Sequence, residues 1–101
     1  MDRTMIHNTS DTVQNWLTYA TASNFHMSEY LEFKFKLNDF LKANSIRRTT
    51  FKAVLADPYK ASIEFSLTSD QIGTIFSLHG ISRYHKDTAD RLFNEYHGRK
   101  A

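Results

Sequence analysis

The sequence predicts a single all-α domain, a compact bundle of five to six short helices. At 101 residues and 11.8 kDa, the chain has room for one hydrophobic core. Hydrophobic residues make up 41% of the chain and aromatic residues 14%, which is enough apolar material to fill that core. With three Gly and one Pro, the chain is too poor in turn residues for a many-stranded sandwich or barrel.

The first elements are an N-terminal arm and a short helix. Residues 1–9 are polar and lack a period, which predicts a flexible arm ahead of one helical domain over residues 10–101. Asp11 and Gln14 have the spacing of a capping box and open the first helix. Residues 21–24 break its apolar pattern, so we expect that helix to end there.

The central part of the chain predicts two further helices. Ser28 opens a helix whose apolar residues follow a 3.6-residue period as far as Leu41. Alternating apolar residues over 31–37 also fit a strand, although the length of the pattern favours a helix. After an interruption at Asn44 and Ser45, a short helix is expected over about 47–56.

A proline marks the next boundary. Pro58 disfavours the helical conformation at Asp57 and so ends the preceding helix. The same pair starts another helix, with Asp57 as its cap and Pro58 in its first turn. Over residues 61–67, continuation of that helix and a short strand remain open alternatives.

The C-terminal third predicts two helices separated by a glycine. Thr68 and Gln71 form a second capping box, flanked by the hydrophobic pair Leu67 and Ile72. We expect this helix to end at Gly80 and the final helix to begin at a cap on Ser82.

Several classes of function lack their residues in this sequence. Without Cys there is no disulfide, no thiolate metal site and no Cys nucleophile, which fits a cytoplasmic protein. The histidines lack zinc-ligand spacing, and neither a phosphate-cradling Gly loop nor a Ser-centred nucleophile elbow occurs. No apolar run is long enough for a membrane span. We therefore expect a cytoplasmic protein without metal, cofactor or enzymatic activity.

The charge distribution is uneven. The whole chain has a formal charge of only +2. Between residues 42 and 60, however, five basic residues meet a single acid, so this window carries +4 and the remainder −2. A local basic stretch on a nearly neutral protein indicates contact with phosphates. The basic residues are Lys42, Arg47, Arg48, Lys52 and Lys60.

The segment from Phe40 to Pro58 resembles a helix-turn-helix. Its sequence, FLKANSIRRTTFKAVLADP, contains an apolar helix end, a short turn, and a second helix rich in basic and hydroxyl residues. The resemblance implies a DNA-binding protein whose second helix enters the major groove. It also implies an inward side that anchors the helices, formed by Phe40, Leu41, Ile46, Phe51, Val54 and Leu55.

The same resemblance implies the residues that face DNA. They are Arg47, Arg48, Thr49, Thr50 and Lys52, with Lys42 nearby. Arg47 and Thr50 are three residues apart and are expected to face the bases, whereas Arg48 and Lys52 form an i,i+4 pair expected to meet phosphates. Secondary phosphate contacts are expected from Arg83, Lys86 and Arg91 in the last helix.

Two expectations concern partners. One recognition helix reads only about 3–5 base pairs, so we expect a homodimer on double-stranded DNA. Its interface would use the apolar residues Trp16, Leu17, Tyr19 and Phe25. The alternative function is a non-enzymatic interaction module that binds a larger protein, since fourteen aromatic residues also suit an interface.

Overall fold

The computed structural model describes the backbone of residues 3–100 and the side chains of residues 18–95. The residues described form helices without any strand, which confirms the predicted all-α class over that range. Helix α1 begins inside the segment 1–9, while the division into arm and domain stays a prediction. The four helices are α1 (Arg3–Ala43), α2 (Arg48–Ala56), α3 (Pro58–Glu64) and α4 (Ser69–Lys100).

Helices α1 and α4 form a long antiparallel hairpin. The Ser23 hydroxyl of α1 lies 3.4 Å from the Ala89 carbonyl oxygen of α4, whereas the Gln71 Nε2 of α4 donates to the Asn44 Oδ1 at 3.2 Å. The molecule is accordingly elongated, at 72 × 23 × 17 Å, so the prediction of a compact bundle of short helices is wrong. We call residues 34–79, which include α2 and α3, the base. Residues 18–33 and 80–95 are called the arm, which is distinct from the N-terminal segment 1–9.

The seam between α1 and α4 follows alternating steps of three and four residues. Every described residue at these positions is buried or half-buried. This is the spacing of a coiled coil, in which one narrow stripe of each helix faces the other. The seam comprises Tyr19, Ser23, His26, Tyr30, Phe33, Leu37 and Phe40 on α1, and Ile75, Leu78, Ser82, His85, Ala89 and Leu92 on α4.

The described residues form four helices instead of five to six, because two predicted breaks do not occur. Residues 21–24 lie inside α1, and both Gly80 and Ser82 lie inside α4. The strand considered over 31–37 is also absent, since α1 runs through it. A weak helix former costs a few tenths of a kcal/mol and Gly about 1 kcal/mol relative to Ala. Packing along the seam outweighs these costs, and Ser82 is buried there instead of capping a helix.

The hydrophobic core lies in the base. Val54 of α2 and Ile75 of α4 are fully buried in one cluster with Leu37 of α1. Burying a side chain of this size contributes about 1.5–3 kcal/mol. The inward residues that the sequence predicts are found here: Leu41 and Ile46 are buried, and Phe40, Phe51 and Leu55 pack against the cluster.

The boundary between α2 and α3 forms as predicted. The Asp57 side chain accepts a hydrogen bond from the Lys60 backbone N–H at 3.1 Å, and Pro58 is the first residue of α3. The strand considered over residues 61–67 is wrong, since α3 continues to Glu64. An N-terminal cap and a proline in the first turn together favour the helix over the alternating pattern.

The start of α4 confirms the second capping box. The Gln71 N–H donates to the Thr68 hydroxyl at 3.1 Å, and the Thr68 N–H donates to the Gln71 side-chain oxygen at 2.8 Å. Leu67 and Ile72, on either side of the cap, pack against the core cluster. The cap therefore fixes where the chain returns to the hairpin.

The turn between α1 and α2 confirms the predicted interruption. Ser45 lies in the left-handed region with a φ of 56°. The Ile46 N–H donates to the Leu41 carbonyl at 2.8 Å and the Ser45 N–H to the Lys42 carbonyl at 3.1 Å, as in a Schellman motif. Ser66, with a φ of 55°, ends α3 in the same conformation. A non-glycine residue in this conformation costs about 1–2 kcal/mol.

Candidate nucleic-acid interface

Five exposed cations form the candidate site, and all of them lie in the base. Helix α2 carries Arg48 and Lys52, and Arg47 precedes it at the N-cap. The last turn of α1 adds Lys42, and α3 adds Lys60. We call these five residues the basic surface. Since the window 42–60 contains one acid, its charge is +4.

Helix α2 turns its charged side to solvent because its other side is anchored in the core. Arg48, Thr49 and Lys52 are all exposed, and the first and last of them are one turn apart. Thr50, by contrast, is only 8% exposed and lies one turn before the fully buried Val54. The prediction that Thr50 belongs to the exposed outer set is therefore wrong, while its contact with DNA beside Arg47 stays a prediction.

The cations of the arm differ from those of the basic surface in having partners. Arg83, Lys86 and Arg91 each contact a carboxylate one turn further along α4. Within the described part of the chain, no ion pair involves a member of the basic surface. The arm pairs are Arg83–Asp87 at 3.2 Å, Lys86–Asp90 at 2.9 Å and Arg91–Glu95 at 3.6 Å.

The arm contains a ring cluster that sequence reasoning missed. The Nδ1 atoms of His26 and His85 are 2.9 Å apart, so one ring donates a hydrogen bond and the other accepts it. Phe33 stacks on His85 at an interplanar angle of 17°, and Tyr84 meets the same ring edge-on. The three-four spacing of the seam could have placed both histidines. Among the described residues, no group of three or more potential metal ligands occurs here or elsewhere.

His79 lies at the edge of the base. Burial, together with the positive charge of Arg83, lowers the pKa of His79 below its ordinary value of 6.5. Its ring meets Phe51 of α2 edge-on, at 5.6 Å between centroids. Neutral His79 is therefore part of the packing behind α2 and adds no charge to the basic surface at pH 7.

Comparisons of this chain with protein-family models, with curated proteins and with solved structures found no match. Among the described residues, no helix has both the length and the apolar character required to cross a membrane.

Proposed function

We propose that this protein is a small DNA-binding regulator that contacts double-stranded DNA through the basic surface. The observation that supports this is the separation of charge: the unpaired cations gather around α2, whereas the described cations at the far end of α4 are matched with acids. DNA phosphates attract such unpaired cations, and their neutralisation releases counterions. A cytoplasmic, non-enzymatic role without a cofactor belongs to the same proposal.

The size and mounting of α2 suit the major groove. Its nine residues make a helix about 13 Å long and about 10–12 Å across with its side chains. The major groove is about 12 Å wide and admits one helix of that diameter. Val54 fixes the inner side of α2 in the core, which leaves Arg48, Thr49 and Lys52 to face the bases and the nearest phosphates. Helix α1, the turn and α2 would then act as the helix-turn-helix that the sequence resembles.

The remaining cations take flanking roles in this proposal. Lys42 and Lys60 lie on the helices next to α2 and would meet the DNA backbone on either side of the groove. Arg83, Lys86 and Arg91 stay secondary contacts, because DNA would have to compete with the acid beside each of them.

The proposal includes a homodimer, because one short helix reads only about 3–5 base pairs. Of the interface residues predicted, Trp16 and Leu17 lie outside the side chains described, Tyr19 is half-buried, and Phe25 is 56% exposed. Sedimentation at tens of micromolar should give twice the 11.8 kDa of one chain. A species of 11.8 kDa would exclude the dimer while leaving DNA binding by one chain open.

Two arginines test DNA binding, one without an acidic partner and one paired with a carboxylate. Fluorescence anisotropy with a labelled random duplex should show affinity falling steeply between about 50 and 200 mM salt. Arg48→Ala removes an unpaired cation and should lower the slope of log affinity against log salt by about one unit. Arg83→Ala removes an arginine that is also exposed but is paired with Asp87, so the slope should change by less.

The outcomes of this experiment separate clearly. Equal effects of the two variants would mean that charge at large, and not the basic surface, attracts DNA. Absence of binding at low salt would exclude the proposal. Lys52→Ala provides a second test, since it lies on the same outer face as Arg48 and should also lower the salt slope.

Exposed apolar side chains favour a second candidate function, the interaction module. On α3, Tyr59 and Ile63 are one turn apart and are 76% and 65% exposed. Aromatic residues of this kind contribute most of the affinity at many protein interfaces. Binding of a protein partner at this face should depend little on salt and should be lost in Tyr59→Ala, whereas DNA binding should not change.

A further inference from the structure

Helix α2 starts without the negative partner that its neighbours have. Asp57 caps α3, and α4 begins with a capping box and Asp70 in its first turn. At the N-cap of α2 stands Arg47, which makes no side-chain capping bond, and the first turn contains no acid. The first amides of a helix lack partners within it, and its N-terminus is the positive end of the dipole. Arg47 and Arg48 therefore place positive charge where an anion is preferred.

A polar cleft of about 370 Å³ borders this turn. It lies between the start of α2 and the segment that joins α3 to α4. Its lining contains hydroxyls, two amide side chains and one arginine, but neither Asp nor Glu. The lining residues are Asn44, Ser45, Ile46, Arg47, Thr49, Thr50, Phe65, Ser66, Leu67 and Gln71.

Thr50 links the cleft to the helix start. The residue is more than nine-tenths buried, it lines the cleft, and its hydroxyl has no hydrogen-bond partner in the described part of the chain. No polar side-chain atom among the described residues is both sealed from solvent and unpaired. The Thr50 hydroxyl is therefore accessible to solvent, and the cleft that Thr50 lines is where it can donate to a ligand.

We propose that this cleft binds a single phosphate group. The free amides at the start of α2 and the Thr50 hydroxyl donate to its oxygens, and the Arg47 guanidinium pairs with its charge. The anion supplies what the helix start lacks, and no carboxylate in the lining repels it. That the phosphate belongs to a DNA backbone rests on the proposed function; binding of the phosphate group itself does not.

Titration with inorganic phosphate tests the site directly. Phosphate should shift the backbone amide resonances of residues 48–50 and raise the melting temperature of the protein, whereas equal concentrations of sodium chloride should not. Thr50→Val keeps the side-chain shape and should weaken phosphate binding about tenfold, the effect of losing a hydrogen bond to a charged group. Thr88→Val is the matched control, because the Thr88 hydroxyl already bonds the Tyr84 carbonyl within α4.

Arg47→Ser gives a second, opposite readout. Serine is a good N-cap, so the free variant should melt at a higher temperature than the wild type. It should also bind phosphate about tenfold more weakly, because the guanidinium is gone. Because Arg47 is exposed, this test does not depend on whether Thr50→Val folds. Unchanged amide resonances in wild-type protein at tens of millimolar phosphate would overturn the inference.

Adding a random duplex separates the source of the phosphate from the site. If DNA displaces inorganic phosphate, a backbone phosphate occupies the cleft. If phosphate binds but DNA does not, the site stands, the proposed DNA function fails, and the ligand is a smaller phosphorylated molecule. A third outcome is that DNA binds through Arg48, phosphate does not bind in the cleft, and Thr50→Val does not change DNA binding. The site then fails and the proposed function stands.

Discussion

The base and the arm use the same two helices but fill the seam between them differently. In the base, Leu37 and Ile75 are buried beneath α2 and α3. In the arm, only Ser82 and Ala89 are buried among the described residues, and two histidines occupy the positions between α1 and α4. Two helices alone cover only a narrow stripe of each other. The difference shows that the short helices supply the third layer that a core requires.

The lack of that layer explains the exposed rings of the arm. Phe25, Tyr84 and Phe93 are each more than half exposed, although all three are large hydrophobic side chains. Small residues such as Ala89 at the seam let the two helices approach, but they bury little apolar area. The stable part of the molecule is therefore the base, which also holds the basic surface in place.

The largest expected effect is the loss of a base side chain. Ile75→Ala removes a fully buried side chain and should lower the free energy of unfolding by about 2–5 kcal/mol. Leu92→Ala, at a half-buried seam position of the arm, should cost about 1 kcal/mol, because the site can relax toward solvent. Urea unfolding followed by circular dichroism measures both. Equal losses would mean that the arm is as well packed as the base.

The next effect concerns the histidine pair of the arm. His26→Leu and His85→Leu each leave one ring nitrogen without its partner and should each lower the free energy of unfolding by about 1 kcal/mol. The double variant should be at least as stable as the wild type, because an apolar pair replaces a polar one at the seam. A double-mutant cycle measures the coupling. Additive losses would show that the 2.9 Å contact does not stabilise the arm.

Local signals predict the structure where a few neighbouring residues decide it. Asp57 caps α3, and Thr68 with Gln71 caps α4, because such hydrogen bonds join residues only three positions apart. The interruption between α1 and α2 can be predicted for the same reason. Within the candidate site, the exposure of Arg48 and Lys52 follows from their charge and spacing.

The sequence does not predict the structure where packing against a distant helix determines it. Glycine ends many helices, but α4 continues past Gly80 because α1 packs along it. Thr50 has the residue type of a DNA contact, but its burial depends on how α2 is placed on the core. The cleft is lined by residues from both ends of the segment 44–71. The periodicity of the sequence does not show that these two ends lie side by side.

A smaller effect is expected at the turn that begins the base. Ser45→Gly removes left-handed strain and should raise the free energy of unfolding by about 0.5–1 kcal/mol, since glycine adopts this conformation without penalty. Ser77→Gly is the control: Ser77 is exposed inside α4, so glycine there should lower stability by about 0.5 kcal/mol. A loss from Ser45→Gly as well would mean that the serine itself stabilises the turn.

The smallest expected effect is a pH dependence at the edge of the base. Burial and Arg83 lower the pKa of His79 in the folded protein below the 6.5 of a free histidine. As the pH falls below 6.5, the unfolded chain therefore takes up a proton that the folded protein resists. The contribution of His79 to stability is thus complete above pH 6.5 and is lost as the pH falls through the lower, folded pKa.

His79→Gln should make the free energy of unfolding depend less on pH in this range. Subtracting the profile of the variant from that of the wild type removes the contribution of the other histidines. Urea unfolding between about pH 5 and 8 provides the profile, and proton NMR of the ring gives the folded pKa directly. Arg83→Gln should raise that pKa by removing the nearby charge while leaving the burial of the ring unchanged. A His79 resonance that titrates at or above 6.5 would show that the ring is solvated in solution, and α2 would then lack the support behind Phe51.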